Sequence, residues 1–143
     1  MIADLMLVLH VLGAVIWVGG MFFALVVLRP SLAVIDAPQR LVLHRQVFHR
    51  FFRIIWHVMP LQILTGFALV FMVYGGFGRA FWNVHVMTLL GLVMSAIFTG
   101  LYFGPWATLR RTDDPAQVNR IRRLIEVNLV LGLIVVIVAA GYH

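Results

Sequence analysis

Four long apolar segments, separated by short connections, constrain this chain of 143 residues more than any other feature. A membrane-spanning helix needs about 20 mostly apolar residues. Only 11% of the residues are charged, against about 25% in a typical soluble domain. The backbone must satisfy its own hydrogen bonds within lipid, which predicts an all-α, up-down-up-down four-helix bundle, a single transmembrane domain over residues 1–143. The predicted spans are about Ile2–Leu28, Phe51–Tyr74, Phe81–Pro105 and Leu124–Tyr142.

Arginine is distributed unevenly between the connections. The net charge of +6 comes from 11 arginines, with no lysine, and most of them lie in Arg29–Arg50 and Trp106–Arg123. The positive-inside rule then predicts that these two connections are cytoplasmic and that both termini face outward. Anionic lipid headgroups are therefore the expected partners of the arginines, and nucleic acid is not.

Two Asp-Pro motifs predict helix starts. Asp36-Ala37-Pro38 and Asp113-Asp114-Pro115 each combine an acidic cap region with an early proline. Between the first motif and the second span, Arg40–Arg53 mixes apolar and basic residues in the manner of a membrane-surface helix. We predict that this helix merges with the second span.

A weak internal repeat relates the two halves of the chain. An offset of 75 residues places Leu9-His10-Val11 on Val84-His85-Val86, and Pro30 on Pro105. Two parallel two-helix units would produce this pattern. Chance similarity between apolar segments is the alternative interpretation.

His10 and His85 are the main candidate functional residues, because an ionisable side chain within a span is costly and usually functional. Each precedes a proline, Pro30 or Pro105, by 20 residues, which predicts similar depths in the membrane. Each also lies on a stripe of small and polar residues, which predicts that both rings face the bundle interior. The stripes are Met6, His10, Gly13, Trp17 and Gly20 in the first span, and His85, Thr88, Gly91, Ser95, Thr99 and Tyr102 in the third.

The two histidines favour a cofactor that bridges the bundle. The first and third spans of such a bundle are parallel and diagonal, at roughly 12–14 Å if neighbouring axes lie about 8–10 Å apart. This separation suits a b-type haem with His10 and His85 as axial ligands. Trp17, Gly13 and Thr88 would then help to shape the pocket. A haem-dependent membrane oxidoreductase is the corresponding activity, and no separate catalytic residue is identified.

Copper is the alternative ligand. Cysteine is absent, so any metal must be held by histidine, methionine, carboxylate or backbone groups. Met6 lies one turn from His10, and Met72 lies towards the outer end of the second span. Together with His10 and His85 they would suit copper, since thioethers favour Cu(I). The remaining interpretation is that both histidines are neutral and hydrogen-bonded to Thr88, backbone or water.

A second polar group is predicted nearer the cytoplasmic side. Arg53 and His57 share one stripe of the second span, and Glu126 enters the fourth span at a comparable depth. A structural ion pair is one interpretation. A proton path or an anchor for a cofactor carboxylate is the other. His44 and His49 are predicted to be interfacial.

Three sequence stretches resemble the copper resistance protein D family of bacterial inner-membrane proteins. They are LHVLGAVIWVGGMFF (residues 9–23), HVMPLQILTG (57–66) and WNVHVMTLLGLVM (82–94). The resemblance implies an inner-membrane location, a role in copper tolerance or uptake, and a periplasmic copper-binding protein as partner. A quinone or another electron carrier is a further possible partner if the chemistry is redox, and a homo-oligomer is also compatible.

A weaker likeness points to haem. The pattern of His10 with Trp17, and of Trp82 with His85, is similar to that of the haem-binding membrane protoporphyrinogen oxidase family. That family has a lysine two residues after the second histidine, where this chain has Met87. The two resemblances together imply copper handling or membrane redox chemistry at a bis-histidine haem site, with a His/Met copper site as the alternative.

Overall fold

The structure, a computed structural model, describes residues 1–141. The predicted end of the last span at Tyr142 and the terminal His143 lie outside the described residues. Within these bounds, four helices are long and apolar enough to cross a membrane, and no strand is present. The predicted all-α four-helix bundle is confirmed. The spans are Ile2–Val34, Ala37–Tyr74, Trp82–Thr112 and Pro115–Gly141.

The first and third spans are each interrupted by a π-helical turn near their proline. Proline lacks an amide hydrogen and its ring clashes with the carbonyl four residues earlier. A wider turn accommodates both effects. The first span comprises Ile2–Phe22 (α), Phe23–Leu28 (π), Arg29–Ser31 (α) and Leu32–Val34 (3-10), and the third comprises Trp82–Leu101 (α), Tyr102–Trp106 (π) and Ala107–Thr112 (α).

The second span is an unbroken helix of 38 residues, Ala37–Tyr74. The Asp36 carboxylate caps its start by accepting a hydrogen bond from the Gln39 amide at 3.1 Å, and Gly75 ends it with φ 73°. At 1.5 Å per residue the helix is about 57 Å long, whereas the hydrocarbon core is about 30 Å thick. Its first turns therefore extend beyond the apolar layer, which confirms the predicted merger of the surface helix with the second span.

The helix start predicted at Asp113-Asp114-Pro115 is also confirmed, and the fourth span begins there and not at Leu124. Asp113 ends the third span in the left-handed conformation, φ 55°. The next residue, Asp114, then accepts a hydrogen bond from the Ala116 amide at 3.0 Å. Pro115 begins the last helix, Pro115–Gly141. Asparagine and aspartate tolerate the left-handed region better than other side chains, which explains aspartate at the reversal.

The helices pack as a square in which chain neighbours are also spatial neighbours. The first span packs extensively along the second and the third along the fourth, while the fourth also contacts the first and the second contacts the third. The first and third spans lie on a diagonal, as predicted. We call the end of the bundle that carries Met1 and Gly75 the outer end, following the arginine distribution.

Aromatic side chains fill the core towards the end of the bundle opposite the outer end. Phe52 is 1% exposed and its ring centroid lies 5.3 Å from that of Trp106, 5.4 Å from Phe48 and 5.8 Å from Phe98. Trp17 meets Phe98 edge-on at 6.4 Å, which joins the first span to the third. We call Trp17, Phe48, Phe52, Phe98 and Trp106 the aromatic cluster. Edge-to-face packing of such rings adds to the stabilisation from buried area.

A buried amide links the third and fourth spans near mid-membrane. Asn128 is 3% exposed, and its Nδ2 donates a hydrogen bond to the Met94 carbonyl at 3.1 Å. One turn further on, a Cβ atom at Gly132 would lie 2.9 Å from Val18 Cγ2 and 3.2 Å from Met94 Cε. Small residues let neighbouring spans approach closely in this way.

Candidate functional site

His10 contacts the second span through a hydrogen bond in the outer half of the bundle. Its Nδ1 lies 2.9 Å from Thr65 Oγ1. Thr65 is 2% exposed, and His10 is half-buried. The predicted inward orientation of His10 therefore agrees with the structure.

The Thr65 hydroxyl lies between His10 and the carbonyls of its own helix. Its oxygen is 2.7 Å from Leu61 O and 3.3 Å from Gln62 O. When the hydroxyl donates to these carbonyls, its oxygen accepts from His10, and the matching tautomer carries its proton on Nδ1. In that tautomer Nε2 carries the lone pair, and no hydrogen bond to Nε2 is found within residues 1–141. A lone pair of this kind can bind a metal ion.

Glycines allow this contact to form. A Cβ atom at Gly66 would lie 3.1 Å from Cε1 of His10, and one at Gly13 would lie 2.2 Å from Oε1 of Gln62. The backbones of the first two spans therefore approach closely, and Gln62 packs over Gly13. Gln62 Oε1 is buried and has no hydrogen-bond partner among the described residues. We call His10, Gln62 and Thr65, with Gly13 and Gly66, the outer polar contact.

His85 does not join this contact, so its predicted inward orientation is wrong. The side chain is exposed and its ring lies 5.9 Å from that of Phe77, in the turn before the third span. His85 is also only three residues after the start of its helix at Trp82, whereas His10 is eight residues after Ile2. The predicted shared site therefore has no support in the structure.

The physical reason lies in which face of the third span is buried. The residues that pack inward are mostly large and apolar: Val84, Met94, Phe98 and Leu101, together with Asn83 and Ser95. At 3.6 residues per turn, His85 lies about 140° around the helix from the centre of that face. The stripe of small and polar residues therefore marks the edge of the contact. Thr88, predicted near the cofactor, donates instead to the Val84 carbonyl of its own helix at 2.8 Å.

The predicted methionine ligands differ in their placement. Met6 is half-buried one turn outward from His10 on the same face of the first span. Met72 is 48% exposed near the outer end of the second span. Trp17 is 5% exposed, but it packs with Phe98 in the aromatic cluster, nearly two turns further from the outer end than His10.

Arg53, His57 and Glu126 do not form the predicted cluster. All three are exposed on the bundle surface. Glu126 pairs with Arg122, one turn earlier in its own helix, at 3.5 Å, because that partner is available without crossing between helices. His57 Nδ1 bonds to the Arg53 carbonyl at 2.8 Å. His44 bonds likewise to the Arg40 carbonyl at 2.9 Å.

Sequence reasoning missed Gln62 and Thr65, the residues that complete the contact with His10. They lie three residues apart and so share a face of an otherwise apolar stretch, which is the signal that could have identified them. Among residues 1–141, no group of three or more histidine, cysteine, aspartate or glutamate side chains is placed to hold a metal. Any metal here would need thioether, amide or hydroxyl ligands beside His10.

Comparison with known proteins gives one family. The family model described as copper resistance protein D matches residues 45–142. The matched region includes Gln62 and Thr65 and excludes His10, so the role of His10 is argued from geometry. No curated protein and no solved structure gave a match.

Proposed function

The chain belongs to the copper resistance protein D family and is a copper-related multi-pass membrane protein, and we propose that it binds copper(I) through His10 in the outer half of the bundle. The single observation that carries this proposal is the hydrogen bond between His10 Nδ1 and Thr65 Oγ1. Metal-binding histidines almost always donate their second ring N–H to a fixed acceptor, which orients the ring and makes it a better ligand. Thr65 supplies this acceptor.

The ligands near His10 favour copper(I) over harder cations. Met6 lies one turn from His10 on the same face, and a thioether with an imidazole is a soft donor set. Met72 is seven residues after Thr65 and therefore shares its helix face, two turns closer to the outer end. Met72 is a further proposed ligand, at the exposed side of the site. No carboxylate is needed in such a set.

The positions of these ligands are consistent with entry of the copper(I) ion from the outer side. His10 lies about 12 Å from the outer start of its helix at 1.5 Å per residue, and Met6 and Met72 lie between it and that end. A periplasmic copper-binding protein is the proposed donor or acceptor of the ion.

A b-type haem held between His10 and His85 does not fit the bundle. The two rings do not face one another, since His85 is exposed beside Phe77. An absorption spectrum of the purified protein tests this directly, because axially ligated haem would give an intense Soret band.

Copper(I) affinity of the purified protein tests the proposal. Competition with a chromophoric copper(I) chelator should yield a stoichiometric site in the wild type, and His10→Ala should weaken it by at least about tenfold because the principal ligand is removed. Met6→Leu should weaken it less, since a similar volume is kept and one thioether is lost.

His85→Ala is the matched control. It removes a histidine from a span of similar hydropathy without touching the contact with Thr65, so its copper(I) affinity should equal that of the wild type. Equal loss in His10→Ala and His85→Ala would contradict the proposed site. A Soret band that disappears in both variants would replace it with the haem interpretation.

A further inference from the structure

A groove opens where the beginning of the second helix meets the cytoplasmic end of the third span. Its volume is about 510 Å³. Leu41, Val42 and Trp106 provide apolar walls, while Arg45, His49 and Arg110 provide polar ones. The groove lies on the arginine-rich side of the bundle, far from His10, and takes no part in the copper site proposed above.

Both arginines of the groove are held in place by neighbouring groups. Arg45 forms an ion pair with Asp113, and its Nη2 donates to the Arg110 carbonyl at 3.5 Å. The Arg110 guanidinium lies over the rings of Tyr102 and Trp106, at 5.2 and 5.4 Å from their centroids. A guanidinium has five N–H donors, so both side chains keep donors for a ligand.

Charge and position together indicate the chemistry of that ligand. Two guanidinium groups against one carboxylate leave the groove with an excess of one positive charge. Trp106 is 2% exposed and forms an apolar floor, whereas Val42 is 63% exposed at the groove edge. Basic pockets beside transmembrane helices on the cytoplasmic side recognise anionic lipid headgroups, and an apolar wall suits the beginning of an acyl chain.

We propose that this groove binds one anionic phospholipid of the adjacent leaflet, with the headgroup phosphate between Arg45 and Arg110. Planar guanidinium groups are matched to phosphate oxygens in pairs of parallel hydrogen bonds. The acyl chains leave past Leu41 and Val42 towards the hydrocarbon layer. The lipid would hold the surface part of the second helix against the end of the third span.

Native mass spectrometry of the full chain tests this with defined lipids. The probe is phosphatidylglycerol mixed with phosphatidylcholine in detergent micelles. The wild type should retain one phosphatidylglycerol in preference to phosphatidylcholine. Arg45→Gln/Arg110→Gln should lower that retention by about tenfold, because each arginine near the surface contributes attraction to an anionic lipid.

Two further variants separate lipid binding from simple loss of charge or of structure. Arg120→Gln/Arg123→Gln removes the same charge from exposed positions of the fourth span and should leave retention unchanged. Asp113→Asn breaks the ion pair with Arg45 but removes the only carboxylate of the groove, so retention should stay equal or rise. If the double variant fails to fold, Arg110→Gln alone replaces it, since Arg110 forms no ion pair within residues 1–141.

The remaining outcomes overturn the proposal. Equal retention in wild type and Arg45→Gln/Arg110→Gln would show that the groove does not select the lipid. Loss in Asp113→Asn equal to that in the double variant would show that the Arg45–Asp113 pair only maintains the fold. Displacement of the lipid by an equal concentration of inorganic phosphate would identify a small-anion site, and equal retention of phosphatidylcholine would show adventitious binding only.

Discussion

The outer polar contact and the aromatic cluster connect the same bundle by different physical means. The outer polar contact joins two neighbouring spans through one hydrogen bond and two close glycines, with an unpartnered amide oxygen nearby. The aromatic cluster joins the first three spans through interlocked rings, and Phe52 at its centre is 1% exposed. We infer that the aromatic cluster stabilises the folded bundle, whereas the outer polar contact supports the proposed binding of copper(I).

The largest expected effect concerns stability. Phe52→Ala should lower the free energy of unfolding by on the order of 3 kcal/mol, because it leaves a cavity among rings that cannot close around it. Thermal or denaturant unfolding in detergent measures this. Phe71→Ala is the control, since Phe71 is 59% exposed to lipid and should change stability by less than about 0.5 kcal/mol.

The copper(I) affinity of Phe52→Ala, measured below its unfolding temperature, tests whether the aromatic cluster and the outer polar contact act independently. The affinity should match that of the wild type, since the aromatic cluster does not touch His10. A parallel fall in stability and in copper(I) affinity would show that the two regions act as one unit.

Thr65→Val should lower copper(I) affinity more than stability, which is the opposite of the result expected for Phe52→Ala. The substitution keeps the side-chain shape but removes the acceptor of the His10 Nδ1 hydrogen, so the ring loses its fixed orientation. Loss of such an outer partner typically costs a metal site about 10–100-fold in affinity, and we expect copper(I) affinity to fall within that range. The loss of stability should be smaller, about 1 kcal/mol.

Thr88→Val is the matched control for this prediction. The Thr88 hydroxyl bonds to the carbonyl of its own helix, one turn from His85. Its replacement should leave copper(I) affinity unchanged. Equal effects of the two threonine variants would mean that an intrahelical hydroxyl, rather than support of His10, is responsible.

The smallest expected effect comes from crowding the ring. A Cβ at Gly66 would lie 3.1 Å from His10 Cε1, so Gly66→Ala should shift the ring by a few tenths of an ångström and weaken copper(I) binding by about two- to threefold. At Gly91 no atom lies within 4 Å of the added Cβ. Gly91→Ala should therefore bind copper(I) as tightly as the wild type. A larger loss of copper(I) affinity in Gly91→Ala than in Gly66→Ala would contradict the proposed placement of the ion beside His10.

The difference between His10 and His85 shows where reasoning from helical stripes fails. Both histidines lie in apolar segments on stripes of small and polar residues, and both precede a proline by 20 residues. In the first span the stripe coincides with the buried face, because Gly13, Trp17 and Met21 are its inward residues. In the third span larger apolar side chains occupy the buried face, the stripe runs along the edge of that face, and His85 lies nearly opposite it. A stripe cannot distinguish the centre of a helix contact from its edge.

The polar side chains of the second span illustrate a related limit. Gln62 and Thr65 occur in an ordinary apolar stretch beside Pro60, and only the antiparallel packing of the first two spans brings them opposite Gly13 and His10. Glu126 shows the reverse case, since it pairs within its own helix and not with Arg53 or His57. The position of a residue along its helix follows from the sequence, whereas helix rotation and partner choice depend on neighbouring helices.

The sequence by itself determined that the chain forms four apolar helices with caps at Asp36 and Asp114, because hydropathy, proline and capping chemistry act locally. It also determined which chemistry was available, since a chain without cysteine leaves methionine as the soft ligand and histidine as the nitrogen ligand for copper. Only the tertiary structure decided that His10, Gln62 and Thr65 meet while His85 stays outside. Side-chain volume sets how each helix rotates against its neighbours, and that balance is a property of the whole packed bundle.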